Sequence, residues 1–186
     1  MRIFFLGVNA PSRDDSRRAS GTRTEFAVLV PLLFYGGRET ILLTKRLDTL
    51  PQYPGQVCFP GGACDPGDRD LFETALRETE EEVGIARERI TLLEELAWQM
   101  TGLGHRVKPF LARVEPGPVS PNPAEVDRVL YLPVERLTAD LFRERGIWRD
   151  PNGGEHRVHT FDLDGFEVWG LTARILRERF GGGGPP

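Results

Sequence analysis

Glu78, Glu81 and Glu82 are carboxylates set close together in a run that otherwise has the pattern of a helix. Across residues 70–83, Phe72, Ala75, Leu76, Thr79 and Val83 fall on one stripe, which predicts a helix packed on a core. A helix advances about 100° per residue, so Glu78, Glu81 and Glu82 share an arc of roughly 100° beside that stripe. Glu80 falls on the other flank and reads as a solvated residue. Asp70 with Glu73 makes a start resembling a capping box, and Gly84 stands where a left-handed C-cap belongs. The arrangement is unfavourable in itself. Like charges one turn apart repel by roughly 0.2–0.5 kcal/mol per pair, and the last turns carry the negative end of the helix dipole. Arg77 relieves only part of this. An acidic solvated face is the ordinary fate of such a run. A bound divalent cation accounts for it better, because hard ions such as Mg²⁺ take carboxylate oxygens together with substrate phosphates.

The residues before the helix favour the cation. Phe59-Pro60-Gly61-Gly62 ends a strand in a glycine pair whose backbone can approach a ligand closely, although an isolated Gly-Gly is often only a turn. Asp65, Asp68 and Asp70 add acid near the helix start; Asp70 suits the cap, and Asp68 is the better outer metal contact.

The elements that must position these groups are legible from pattern. Residues 27–34 and 41–44 are apolar runs joined through Gly36-Gly37 and read as buried strands. Residues 49–55 make a loop with two prolines, and 57–59 a short strand. Residues 91–100 and 106–114 are further strands, bridged by a loop at 101–104, and 116–123 is a proline-rich connector. Residues 129–132 suggest a strand, 133–142 a helix with proline in its first turn, 156–163 and 166–169 a late hairpin, and 171–180 a final helix. Mixed strands and helices in this order predict an α/β (α+β) layered domain over residues 25–180. An N-terminal arm precedes it at 1–24, and a flexible Gly/Pro tail follows at 181–186.

Composition narrows the function classes. Hydrophobic residues make up 39% and charged residues 28%, a globular balance, with a formal net charge of −4 that does not draw nucleic acid or an anionic membrane. Cys58 and Cys64 match no common zinc or redox spacing and read as free thiols in a reducing cytosol. No run is long and apolar enough for a bilayer span, so the expected location is cytoplasmic. The apolar N-terminal stretch at residues 1–8 is an edge-strand candidate, even one added to a partner, which leaves a homodimer open.

These residues resemble the signature of the Nudix hydrolases. Arg77-Glu78-Thr79-Glu80-Glu81-Glu82-Val83-Gly84-Ile85 meets its second half, with Thr79 in an apolar slot. In the first half Asp68 stands where the signature has glutamate, with one extra residue before Arg77. A second stretch looks like the coenzyme A pyrophosphatase branch: Leu42-Leu43-Thr44-Lys45-Arg46-Leu47, then Pro51, Gly55 and Phe59-Pro60-Gly61-Gly62. Leu47 replaces a small residue there and Pro51 an arginine. Residues 104–110, Glu125-Val126 and Trp169-Gly170-Leu171-Thr172-Ala173-Arg174 also look like that branch.

The resemblance implies an α/β/α sandwich with a mixed central sheet. It also implies a hydrolase using Mg²⁺ or Mn²⁺ to split the pyrophosphate of coenzyme A or its derivatives. In that reading Glu78, Glu81 and Glu82 are the metal ligands, with a backbone oxygen at Gly61 or Gly62 and an outer contact at Asp68. Arg77 orients the glutamates, and Glu125 is an extra metal contact or general base, against the plainer reading of a surface acid. Arg46, Lys45, Gly55, Phe59, Gly61, Gly62 and His105 are substrate-side candidates, although a strand-end lysine facing water and a lone loop histidine are the commoner outcomes. Trp169 reads as a packing anchor. The alternatives are ADP-ribose, NADH or another nucleoside diphosphate derivative as substrate, a nucleotide sensor without catalysis, and an interaction protein with an acidic helix.

Overall fold

The computed structural model describes residues 25–102, 104–149 and 154–182. The arm expected at 1–24, with its edge-strand candidate, and residues 183–186 of the tail lie outside them. In chain order the elements are β1 (Glu25–Tyr35), β2 (Arg38–Arg46), β3 (Val57–Cys58), β4 (Gly61–Ala63), α1 (Leu71–Val83), β5 (Ile90–Glu95), β6 (Gln99–Met100), β7 (Arg106–Val114), β8 (Val126–Pro133), β9 (Arg143–Arg149), β10 (Glu155–Leu163), β11 (Phe166–Trp169) and α2 (Gly170–Phe180).

The central sheet is mixed. β1 runs parallel to β7 and antiparallel to β2, while β8 lies along the far edge of β2 and β5 and β6 along β7. Alternate residues of β1 and β2 enter different cores. Ala27 and Leu29 meet Ala75 of α1 on one face, with Leu42 beside Val83; Val30, Leu32, Ile41 and Leu43 meet Ile175 and Leu176 of α2 on the other. Both faces are covered, which is why β1 and β2 read as near-continuous apolar runs. The small sheet β9–β10–β11 joins α2 on the second face, giving the predicted α/β/α sandwich.

β1 and β2 pair only near their hairpin, from Leu32↔Ile41 to Tyr35↔Arg38, and then diverge. The segment carrying the glycine pair fills the gap: β3 pairs with Thr44 and Lys45 of β2, and β4 pairs with residues 26–28 of β1. Leu29 N–H donates to Pro60 O at 2.9 Å between them. Gly61 and Gly62 thus form a strand wedged into the sheet rather than the turn that an isolated Gly-Gly suggests.

Two other expectations need correcting, and one strand is new. Residues 133–142 form no α-helix. Two single 3₁₀ turns, Val134–Arg136 and Ala139–Leu141, flank an extended Thr138, while Leu137 and Phe142 bury in the core. Residues 91–100 are not one strand, because Leu96 turns into the core between β5 and β6. β9 was not anticipated: most of its residues are exposed, and it is held by pairing to β10.

Candidate active site

α1 begins as its sequence dictates. Asp70 caps it by accepting from Glu73 N–H at 2.8 Å, and Gly84 closes it in the left-handed region at φ 63°. The buried face is Thr74, Ala75, Thr79, Glu82 and Val83, with Phe72 and Leu76 only half-buried, so the helix is rotated toward its acids relative to the apolar stripe. Thr79 tolerates burial because its hydroxyl donates to Ala75 O at 2.6 Å.

Gly62 lies directly beneath Glu78. A Cβ on Gly62 would stand 2.4 Å from the Glu78 carboxyl carbon, while one on Gly61 would strike Ala27 O at 2.3 Å. Gly61 N–H donates to Glu82 Oε2 at 3.3 Å. The wedge strand therefore serves the acids directly, by close backbone approach at one glycine and by an N–H at the other.

The carboxylates are compensated unequally. Arg77 Nη1 lies 2.9 Å from Glu78 and 3.3 Å from Glu81, bridging them. Glu82, almost wholly buried, has Arg46 Nη1 at 3.4 Å. Burial pushes the Glu82 carboxyl up to about 8, with Glu78 and Glu125 adding to the rise and Arg46 and the Gly61 N–H opposing it. Burial also raises Glu78, against the pull of Arg77. No basic residue occupies the last turn of α1 to offset the helix dipole.

Asp68 is not placed as an outer metal contact. Its carboxylate accepts from Arg77 Nε at 3.0 Å and Nη2 at 3.2 Å, from the Thr74 hydroxyl at 2.8 Å and from Asp65 N–H at 2.9 Å. With both oxygens engaged and only 4% of the side chain exposed, it fixes Arg77 instead. Arg77 Nη2 also donates to Ala63 O at 3.1 Å, tying α1 to β4.

Glu125 stands near enough to Glu78 and Glu82 for its charge to raise both carboxyls, and Asn122 Nδ2 donates to it at 3.4 Å. The loop carrying it is fastened to the end of α1, where Ser120 N–H donates to Val83 O at 2.8 Å and Asn122 N–H to Glu82 O at 2.9 Å. These bonds satisfy carbonyls that a helix end leaves orphaned. Ser120 and Asn122 escaped sequence reading, since a Pro-rich connector gives no sign of what it docks on.

Two substrate-side expectations are corrected. Phe59 lies in the apolar core, 3% exposed, and cannot face a ligand. Lys45 is neither a free cation nor a phosphate contact, because Asp127 at 3.0 Å and Asp48 at 3.2 Å already hold its ammonium. Gly55 shapes the loop after β2 at φ 67°, where a Cβ would meet Asp48. The His105 ring packs against Phe26 at 5.1 Å, and the His105 backbone N–H donates to the Thr101 hydroxyl at 3.1 Å. Trp169 packs under Arg145. Arg46 is the predicted substrate-side cation that the fold brings to the acids, and its buried Nε has no acceptor.

Residues 24–150 match the family model of the NUDIX domain. The chain belongs to the Nudix hydrolase family. This Nudix hydrolase is 37% identical over 164 residues to the uncharacterized Nudix hydrolase NudL of Photorhabdus laumondii, covering 87% of this chain and 86% of that protein. It is 38% identical over 160 residues to NudL of Yersinia pestis, covering 85% and 79%. Among solved structures it is similar to a C. elegans Ap4A hydrolase in a binary complex, with a TM-score of 0.51 and 28% identity over 60% of this chain and 81% of that one. Membership makes the chain a pyrophosphohydrolase of a family that generally uses divalent metal.

The acids fit such an ion in kind. As they stand, no three acidic, imidazole or thiol side chains among the described residues converge on one point; arginines face them instead. Their donors are all hard oxygens, and a buried carboxyl driven up to about 8 beside two other carboxylates lacks positive charge, which a divalent ion supplies. No helix among the described residues is long and apolar enough to cross a membrane.

Proposed function

We propose that this Nudix hydrolase cleaves the pyrophosphate bond of coenzyme A or its derivatives, with Mg²⁺ or Mn²⁺, to adenosine 3′,5′-bisphosphate and (acyl-)phosphopantetheine. The observation that carries the metal-dependent chemistry is Glu82: a buried carboxylate, held by the Gly61 N–H and crowded by Glu78 and Glu125. The substrate choice rests on the stretch from Leu42 to Gly62, whose spacing resembles the coenzyme A branch and which builds β2, the following loop and the β3–β4 wedge.

Glu78, Glu81 and Glu82 would hold the metal, with a backbone carbonyl of the Gly61-Gly62 pair. Bound there, the ion supplies charge neutralisation for the diphosphate and acidifies water. The chain's own residues do the rest. Arg77, locked by Asp68, keeps Glu78 and Glu81 in place. Arg46 offers a guanidinium to a phosphate oxygen. Glu125 accepts the proton of the attacking water as a P–O bond to that water forms and the anhydride P–O bond breaks, the electron pair leaving with the departing phosphate.

Pro51, standing where the branch has an arginine, favours a second reading: ADP-ribose, NADH or another nucleoside diphosphate derivative. Hydrolysis of coenzyme A, acyl-coenzyme A, ADP-ribose and NADH with each metal, products identified by mass, decides between them. Fastest turnover on coenzyme A, giving adenosine 3′,5′-bisphosphate, is expected. A higher kcat/KM on ADP-ribose or NADH would replace the reading.

A further inference from the structure

Arg174, in the Trp169–Arg174 stretch, takes no part in the acid cluster. From α2 its Nη2 donates to Met100 O at 2.7 Å at the end of β6. Its Nε is buried without an acceptor, and among the described residues it forms no ion pair. Other shielded cations here have carboxylates: Lys45 with Asp127, Arg46 with Glu82, Arg77 with Asp68 and Lys108 with Glu95. Glu178 acts on Arg174 only at longer range, and its carboxylate already accepts from Gln99 at 2.8 Å. A shielded guanidinium without a counter-ion is unfavourable, and its fork of donors suits an oxyanion.

The surroundings suit a nucleoside. Met100 leads into Thr101, and near the Thr101 side chain stands Tyr53, a partly exposed ring on a residue held at φ 53°. A non-glycine residue in that region is a strained feature that its surroundings must enforce. One residue further, a Cβ on Gly102 would stand 3.9 Å from Trp148 Nε1, and the Trp148 ring stacks on His156 at 5.1 Å. The loop at 100–102 thus gathers an uncompensated cation and two aromatic surfaces. Nearby, Thr172 of α2 donates to Val57 O at 3.2 Å, so this cluster adjoins the strand that leads to the glycine pair.

We propose that Arg174 binds a phosphate monoester on the nucleoside of the substrate, separate from the diphosphate that is cleaved, with Tyr53 and Trp148 flanking the base. This rests on the coenzyme A reading, whose nucleoside carries a 3′-phosphate. Calorimetric titration of the metal-free protein with adenosine 3′,5′-bisphosphate and with adenosine 5′-monophosphate tests it. The wild type should bind the bisphosphate about tenfold more tightly, in line with one added charge-assisted contact. Arg174→Gln should erase that preference and leave the monophosphate affinity within about twofold. Arg174→Met, which keeps the aliphatic stem, should do the same if the glutamine variant melts early. A preference unchanged in either folded variant, or absent in the wild type, overturns the assignment. Separate turnover assays distinguish the two failures. A wild type that prefers the bisphosphate but does not hydrolyse coenzyme A removes the substrate reading and leaves Arg174 its phosphate. Coenzyme A turnover without the preference removes Arg174 alone.

Discussion

Asp68→Asn isolates the contact that holds Arg77. Arg77 first, then Asp65 N–H and the Thr74 hydroxyl, keep the Asp68 carboxyl at about 2 against burial, which acts the other way. Moving a carboxyl from its ordinary 3.8 to about 2 corresponds to roughly 2 kcal/mol in favour of the charged form. The rise of Arg77 also collects Glu78, so the shift on Asp68 is the better measure of this pair. Arg77 also has Glu78 at 2.9 Å and Glu81 at 3.3 Å as partners, which offset part of the lost pairing, so the expected loss is about 1–2 kcal/mol at pH 7. The sign follows from a depressed carboxyl: its stabilisation is complete above the ordinary range and fades as pH falls from about 4 toward 2. Urea unfolding at pH 7 and near pH 3 should show the gap between wild type and variant shrinking with acid. Turnover should fall about tenfold or more, since a loosened Arg77 lets Glu78 and Glu81 drift. Equal stability at pH 7, or a gap of the same size near pH 3, would refute the argument.

Glu82→Gln replaces a buried carboxyl whose ionisation the fold opposes. With its folded carboxyl raised to about 8, Glu82 costs stability increasingly as pH rises above its ordinary 4.5. The metal-free variant should therefore melt higher than wild type at pH 7, by on the order of 1 kcal/mol or more, yet turn over about a hundredfold slower or worse. Added Mg²⁺ or Mn²⁺ should raise the melting temperature of wild type and not of the variant; an equal rise in both would remove Glu82 from the metal site. The two glycines should separate cleanly. Gly62→Ala meets only the movable Glu78 carboxylate, at 2.4 Å, so stability should change by less than about 1 kcal/mol while turnover falls about tenfold. Gly61→Ala meets backbone, at a φ of 152°, and should lose roughly 2–5 kcal/mol in urea titration; similar stabilities for the two variants would contradict the wedge geometry.

What could be read from sequence was what local chemistry determines. Asp70, Glu73 and Gly84 define both ends of α1 by contacts within four residues of one another. The rotation of that helix was not local. The wheel put Phe72 and Leu76 inward, yet Thr74 and Glu82 are buried, because β4 and the Ser120–Glu125 loop cover the acidic flank. The same holds for Gly61-Gly62. Its composition suggests a turn, and only the divergence of β1 from β2 makes it a strand. Charge and spacing make Asp68 an outer metal contact, whereas its partner Thr74 gives no charge signal and lies across the first turn of the helix. Residues 143–149 show no alternation because both their shape and their stability come from β10.

The two arginines at the acids are held to very different degrees, and this makes the predictions independent. Arg77 is fixed by Asp68, Ala63 O, Glu78 and Glu81, so it is part of the scaffold. Arg46 touches Glu82 through one nitrogen at 3.4 Å and leaves its Nε without an acceptor, so little binds it to that position. Loosening Arg77 therefore costs stability and turnover together. Replacing Glu82 removes a carboxyl that must give up its ionisation to be buried, and one weak partner, so stability should rise while turnover falls. Nonspecific damage to the domain lowers both quantities in every variant. Opposite signs in Glu82→Gln, beside equal signs in Asp68→Asn, would have to come from the separate ways in which the fold supports these carboxylates.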